Sequence, residues 1–78
     1  MQWQKLSNVN PPIDHVIQLW DPVRKEVLFA QRTIGDRIDF GTSFCGGEII
    51  DNVDHLRYTD FKKLNANFYW CLFKQPFE

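Results

Sequence analysis

Phe68-Tyr69-Trp70-Cys71-Leu72-Phe73 is the stretch on which the reading of this chain turns. Six large apolar or aromatic residues stand in a row near a terminus, with Pro76 closing the run. Aromatic residues favour the pleated, half-buried surface of a strand, and a run of this composition is poorly tolerated in water. The run therefore predicts a last strand pinned inside the core, where most chains fray.

Outward from that strand, composition sets the class. The chain has 78 residues, is 44% hydrophobic, and holds seven Phe, three Trp and two Tyr. A chain this short sits near the lower size at which one core supports folding, so its stability rests on a few large aromatic side chains. Intrinsic disorder is excluded, because it needs low hydrophobicity and high net charge. Nine basic residues against ten acidic ones leave a net charge of −1. Without a basic excess, little is available to neutralise a phosphate backbone, which argues against nucleic acid as the partner. Cys45 and Cys71 allow one bridge at most, and the opening Met1-Gln2-Trp3-Gln4 is polar rather than leader-like. Both thiols read as reduced, and the chain as a cytoplasmic domain spanning residues 1–78. No apolar stretch approaches the length of a membrane span.

Strands are read from alternation. Trp3 to Leu6 suggests a short first strand, which Ser7 to Pro12 interrupts, since two prolines remove backbone donors and force Asn10 extended. His15 to Trp20 is the clearest strand, with Ile17 and Leu19 on one face and Val16 and Trp20 on the other. Asp21-Pro22-Val23-Arg24-Lys25-Glu26 reads as a hairpin loop, and Val27 to Arg32 as its returning partner. Ile34 to Phe40 carries a bend at Gly35-Asp36. Gly41 to Gly47 reads as loop, because three glycines in seven residues admit positive φ freely. Glu48 to Val53 suggests another short strand. Thr59 is the expected N-cap of one helical turn reaching Leu64. The expected fold is mainly β or α+β: a small antiparallel sheet of four to five strands with at most one short helix.

No catalytic or ligand signature stands out. His15, His55, Cys45 and Cys71 lack the spacing of a zinc site and read as structural or surface residues, so no metal and no cofactor is expected. Cys45 precedes Gly46-Gly47, whose amides could cradle an oxyanion, with His55 as the nearest base in sequence. No third group orients that pair, and a packed loop cysteine explains Cys45 more simply. Asp51-Asn52-Val53-Asp54 lacks the glycine and closing glutamate of a calcium loop. Arg57-Tyr58 and Phe61-Lys62-Lys63 interleave aromatic and basic residues as single-strand binders do, although a charged face beside a core aromatic gives the same pattern. The aromatic content instead points to protein binding through exposed anchors. Trp3 is one candidate; the expected contact residues are Trp20 with Arg24 and Lys25 at the hairpin, and Arg57, Tyr58 and Lys62 near the helical turn.

The chain ends resemble the domain of unknown function 551 family of small phage and prophage proteins. Trp3, Leu6-Ser7 and Pro11-Pro12 match its opening pattern, and Tyr69-Trp70 through Pro76 its closing one. The stretch from Arg32 to Asn67 has no counterpart, and Phe73 and Lys74 depart from the proline-leucine-proline character of the usual tail. The resemblance implies a viral or prophage origin and an accessory role without assigned catalytic residues. Taken together, the expected function is that of a non-enzymatic phage-type protein that binds and blocks a host protein or protein complex, such as a CRISPR effector. A nucleic-acid-binding accessory protein is the first alternative, and a small hydrolase using Cys45 the second.

Overall fold

In a computed structural model that describes residues 2–73, the final apolar run becomes an interior strand of a six-stranded antiparallel sheet. The elements are β1 (Gln4–Lys5), β2 (Val16–Asp21), β3 (Glu26–Thr33), β4 (Arg37–Gly41), β5 (Ser43–Cys45), β6 (Glu48–Ile50), β7 (Asp54–Arg57), α1 (Tyr58–Leu64) and β8 (Tyr69–Leu72). The main sheet runs β1-β8-β2-β3-β4-β7, and β5 pairs with β6 in a separate two-stranded sheet. The mainly β class with one short helix is as expected; four to five strands is corrected to six plus two. Pro76 lies outside the described residues.

Directly opposed residues share a face of a sheet, so the register sorts the side chains. Trp70 opposes Leu19, which opposes Leu28; Ile17 opposes Ala30, which opposes Phe40; Ile38 opposes Leu56. This face is the core side. Ile17, Leu19, Ala30 and Ile38 are fully buried there with Trp70, beneath Tyr58 and Phe61 of α1 and beside Leu6 and Phe68. Phe61 lies in tilted contact with Phe40 at 5.1 Å and edge-on to Phe68 at 6.2 Å between ring centroids. A seven-residue helix is too short to be stable in water by itself, so this packing is what holds α1 helical.

The opposite face carries the other half of each alternation: Trp20, Tyr69 and Val27, then Gln18, Cys71 and Phe29. Part of it is covered by β5 and β6, which form an arm. Two positive-φ glycines, Gly46 and Gly47, make the tight turn at its tip. At its base, Asp51 and Asn52 both adopt positive φ, and Thr42 donates its backbone N–H to the Asp51 carbonyl at 2.9 Å. The arm lays Phe44 against Phe29 and Phe73, with centroids 6.0 and 4.9 Å away. The glycine-rich stretch Gly41 to Gly47, expected as loop, is thus largely β5 and its turn.

Three further expectations need correction. The run Phe68 to Phe73 is not uniformly interior: Phe68, Trp70 and Cys71 are buried, while Tyr69 and Leu72 are 36% and 44% exposed. Alternation accounts for Tyr69, which faces away from the helix while Trp70 faces it. Leu72 shares the face of Trp70 but stands at the end of the strand, and Cys71 is buried on the face of Tyr69. The strand expected over Glu48 to Val53 divides at the positive-φ pair, and its polar continuation Asp54–Arg57 is the edge strand β7. Finally, Arg57 rather than Thr59 occupies the N-cap position, without a side-chain capping bond. Asp36 fulfils that task from the β3–β4 turn, accepting hydrogen bonds from the Thr59 N–H at 3.1 Å and its Oγ1 at 2.9 and 3.0 Å.

Candidate functional site: an exposed aromatic row

The clearest unpartnered feature lies across the strands of the face opposite the helix. Lys5 opposes Tyr69, Tyr69 opposes Trp20, and Trp20 opposes Val27, so one row crosses β1, β8, β2 and β3. Trp3, two residues before Lys5, joins them, and Trp3, Trp20, Val27 and Tyr69 together line an open depression of about 480 Å³. Trp3 is 41% exposed and Val27 39%, with Trp20 half-buried. Large apolar side chains grouped on a surface mark contact sites, whereas scattered ones do not.

Local sequence explains the placement. The β2–β3 hairpin is closed by Asp21, buried to 4% exposure, whose Oδ1 accepts the backbone N–H groups of Val23 at 2.9 Å and Arg24 at 3.2 Å. This is an Asx turn completed by Pro22 and by Lys25 in the left-handed region at φ 57°. The turn sets the register that puts Trp20 opposite Val27 and leaves Arg24 and Lys25 exposed in the loop between them.

The expected contact residues do not form one surface. Trp20, Arg24 and Lys25 are together at this hairpin, and Trp3 belongs with them. Tyr58 does not serve as an exposed anchor: it is 4% exposed, its ring under the Arg32 guanidinium at 4.4 Å and its hydroxyl donating to Asn10 Oδ1 at 2.8 Å. Burial raises the Tyr58 phenol above its ordinary pKa, an effect the Arg32 charge partly offsets. Lys62 Nζ donates to the same Asn10 oxygen at 2.8 Å, on the helix side of the sheet. Arg57, at the end of edge strand β7, forks onto Asp60 at 2.9 and 3.2 Å. That hydrogen bond raises the Arg57 pKa and lowers that of Asp60. Such an exposed pair contributes little to stability. Tyr69 is the residue missed by reading the sequence, hidden in a run taken as wholly buried. Its position one residue from buried Trp70 was the available signal.

The remaining candidates are dispersed. Cys45 is exposed at the tip of the arm, and no hydrogen bond joins it to His55 among the described residues. Cys71 is buried, its thiol donating to its cross-strand partner Gln18 at 3.6 Å, and burial pushes its pKa up. Among the described residues no group of three His, Cys, Asp or Glu side chains converges, and no helix is long and apolar enough to cross a membrane. Comparison with protein-family models, curated proteins and solved structures finds no match to this chain.

Proposed function

We propose that this chain is a non-enzymatic binding protein that acts by occupying a surface of another protein with the row Trp3, Tyr69, Trp20 and Val27. The observation that supports this reading is the contiguity of those side chains on a face that the molecule's own helix leaves uncovered. Aromatic anchors dominate the energy of protein contacts, because they bury a large area while losing few rotamers. The resemblance at the chain ends supplies the setting: a phage-type accessory protein that blocks a host protein or complex in the cell interior, a CRISPR effector being the most concrete target.

A second reading has one observation in its favour. Lys5 stands across from Tyr69 and Lys25 in the loop between the strands of Trp20 and Val27, so basic and aromatic residues interleave as they do where single-stranded nucleic acid is stacked and neutralised. The net charge of −1 weighs against it.

The test is capture from bacterial lysate by the whole chain, with melting measured on the same variants. Trp3→Ala and Trp20→Ala should weaken capture about tenfold or more while melting stays cooperative. If capture falls only in proportion to the fraction unfolded, the row is not the contact surface.

A further inference from the structure

Resting on the reading above, we infer that the row takes a short, extended, acidic segment of its partner, with an apolar centre and carboxylates on either side. Among the described residues, the charged side chains that the register and the hairpin loop place next to the row are cationic. Lys5 stands at one end, directly across from Tyr69, and Arg24 and Lys25 occupy the loop joining the strands of Trp20 and Val27. The acids close to them in sequence are turned elsewhere. Asp21 is buried and bonded to backbone N–H groups, and Glu26 opposes it on the helix side of the sheet. Lys5 and Lys25 enter no salt bridge among the described residues, and Arg24 approaches Asp21 only to 4.0 Å. A chain of net charge −1 thus sets two lysines without a salt bridge among the described residues beside this aromatic row, with Arg24 in the same loop loosely paired to Asp21.

Geometry limits the ligand. Strands lie about 4.8 Å apart, so the row from β1 to β3 spans roughly 14 Å, which an extended chain crosses in about four or five residues. A carboxylate at one end meets Lys5, and a second, displaced toward the hairpin loop beyond the Asp21–Glu26 pair, meets Lys25, while the apolar side chains between them enter the depression. A polynucleotide is disfavoured, because three cations neutralise few phosphates and the molecule's overall charge repels a long polyanion.

A random 12-residue peptide display library selected on the whole chain tests this. The expected pool carries Asp or Glu flanking one or two apolar residues. Its peptides should lose at least tenfold in affinity for Trp20→Ala and for the double variant Lys5→Glu/Lys25→Glu, both checked for native circular dichroism. Peptides without an acidic excess that bind the double variant unchanged overturn the charge assignment and leave the row standing as a contact surface. Binding that survives Trp20→Ala, or a library that yields no binder, overturns both. A twelve-nucleotide oligothymidylate that quenches the Trp fluorescence more tightly than the best peptide transfers the row to the nucleic-acid reading and overturns the inference.

Discussion

Trp70 donates its indole N–H to the backbone carbonyl of Val9 at 2.8 Å, binding the last strand to the loop that follows the first. The same two regions meet again where Leu6 donates to the Phe68 carbonyl at 2.9 Å and β1 pairs with β8. The N-terminal segment is thus held largely by β8, which is itself anchored on β2.

Removing Phe68 onward should therefore abolish folding. The cut strips Phe68, Trp70 and Cys71 from buried positions and takes away the only sheet partner of β1 among the described residues. Each large side chain fully buried is worth about 1.5–3 kcal/mol, so together they rival the whole stability of a small domain. Trp70→Phe is the milder probe. It keeps an apolar ring but loses the bond to Val9, and should cost about 1–3 kcal/mol, read as a fall in melting temperature of several degrees. A soluble truncated chain with native-like circular dichroism would contradict the first expectation.

Gly41→Ala should destabilise through the arm. A Cβ there would lie 2.7 Å from Ile49 Cγ2 and 3.0 and 3.1 Å from the carbonyl oxygens of Asp51 and Ile50. The Ile side chain can yield, but two backbone oxygens cannot both retreat while Thr42 holds the Asp51 carbonyl. The expected cost is about 1–3 kcal/mol, the range for overpacking. Adding Ile49→Ala should recover only part of it, because the oxygens stay. Urea midpoints of the two single variants and the double variant measure this; full recovery would mean that the side chain alone was the obstacle.

What the sequence made legible and what it hid follow one physical division. The central hairpin was readable because Ile17 and Leu19 alternate with Val16, Gln18 and Trp20, and Asp21-Pro22 announces the turn. The arm was hidden because β5 and β6 are each three residues long, too short to alternate visibly. The Gly46-Gly47 dipeptide between Phe44 and Ile49 was the clue available. Edge strand β7 carries Asp54, His55 and Arg57 and is exposed along its length, so it shows no hydrophobic pattern. The helix cap was beyond local reading altogether, since Asp36 reaches Thr59 across 23 positions. At the candidate site, local signals pointed to Trp3, Trp20, Arg24 and Lys25, which the fold places at one hairpin end of the sheet. Whether Tyr58 or Tyr69 faces outward depended on which face α1 covers, a tertiary fact.

The two thiols should separate by reactivity. Cys45 is exposed, so an aromatic disulfide reagent should modify one thiol in the native protein and the second only in denaturant. Cys45→Ser should change stability by less than about 0.5 kcal/mol, as surface substitutions do. Cys71→Ala should cost about 1 kcal/mol through the small cavity it leaves. Rapid modification of two thiols in the native protein would show that β8 opens far more readily than its burial implies.

Tyr58 should make the protein sensitive to alkali in a way that Tyr58→Phe removes. Its phenol is raised above the ordinary tyrosine value of about 10, chiefly by burial, because the tyrosinate would lie in the core. The unfolded chain therefore releases this proton at lower pH than the folded one does. Between the two values the native state binds more protons, so stability declines as pH rises. The contribution is fully present below about pH 10 and is lost as pH climbs through the raised folded value. At neutral pH, Tyr58→Phe should cost about 1 kcal/mol for the lost hydrogen bond to Asn10. The cost falls at the low end, because Lys62 still donates to the same oxygen and the remaining ring still lies under Arg32. Above pH 10 the wild type should fall more steeply than the variant, and their urea midpoints should converge. Parallel curves from pH 7 to pH 11 would mean that the phenol titrates alike in the folded and unfolded chains, and so that Tyr58 is not buried in solution.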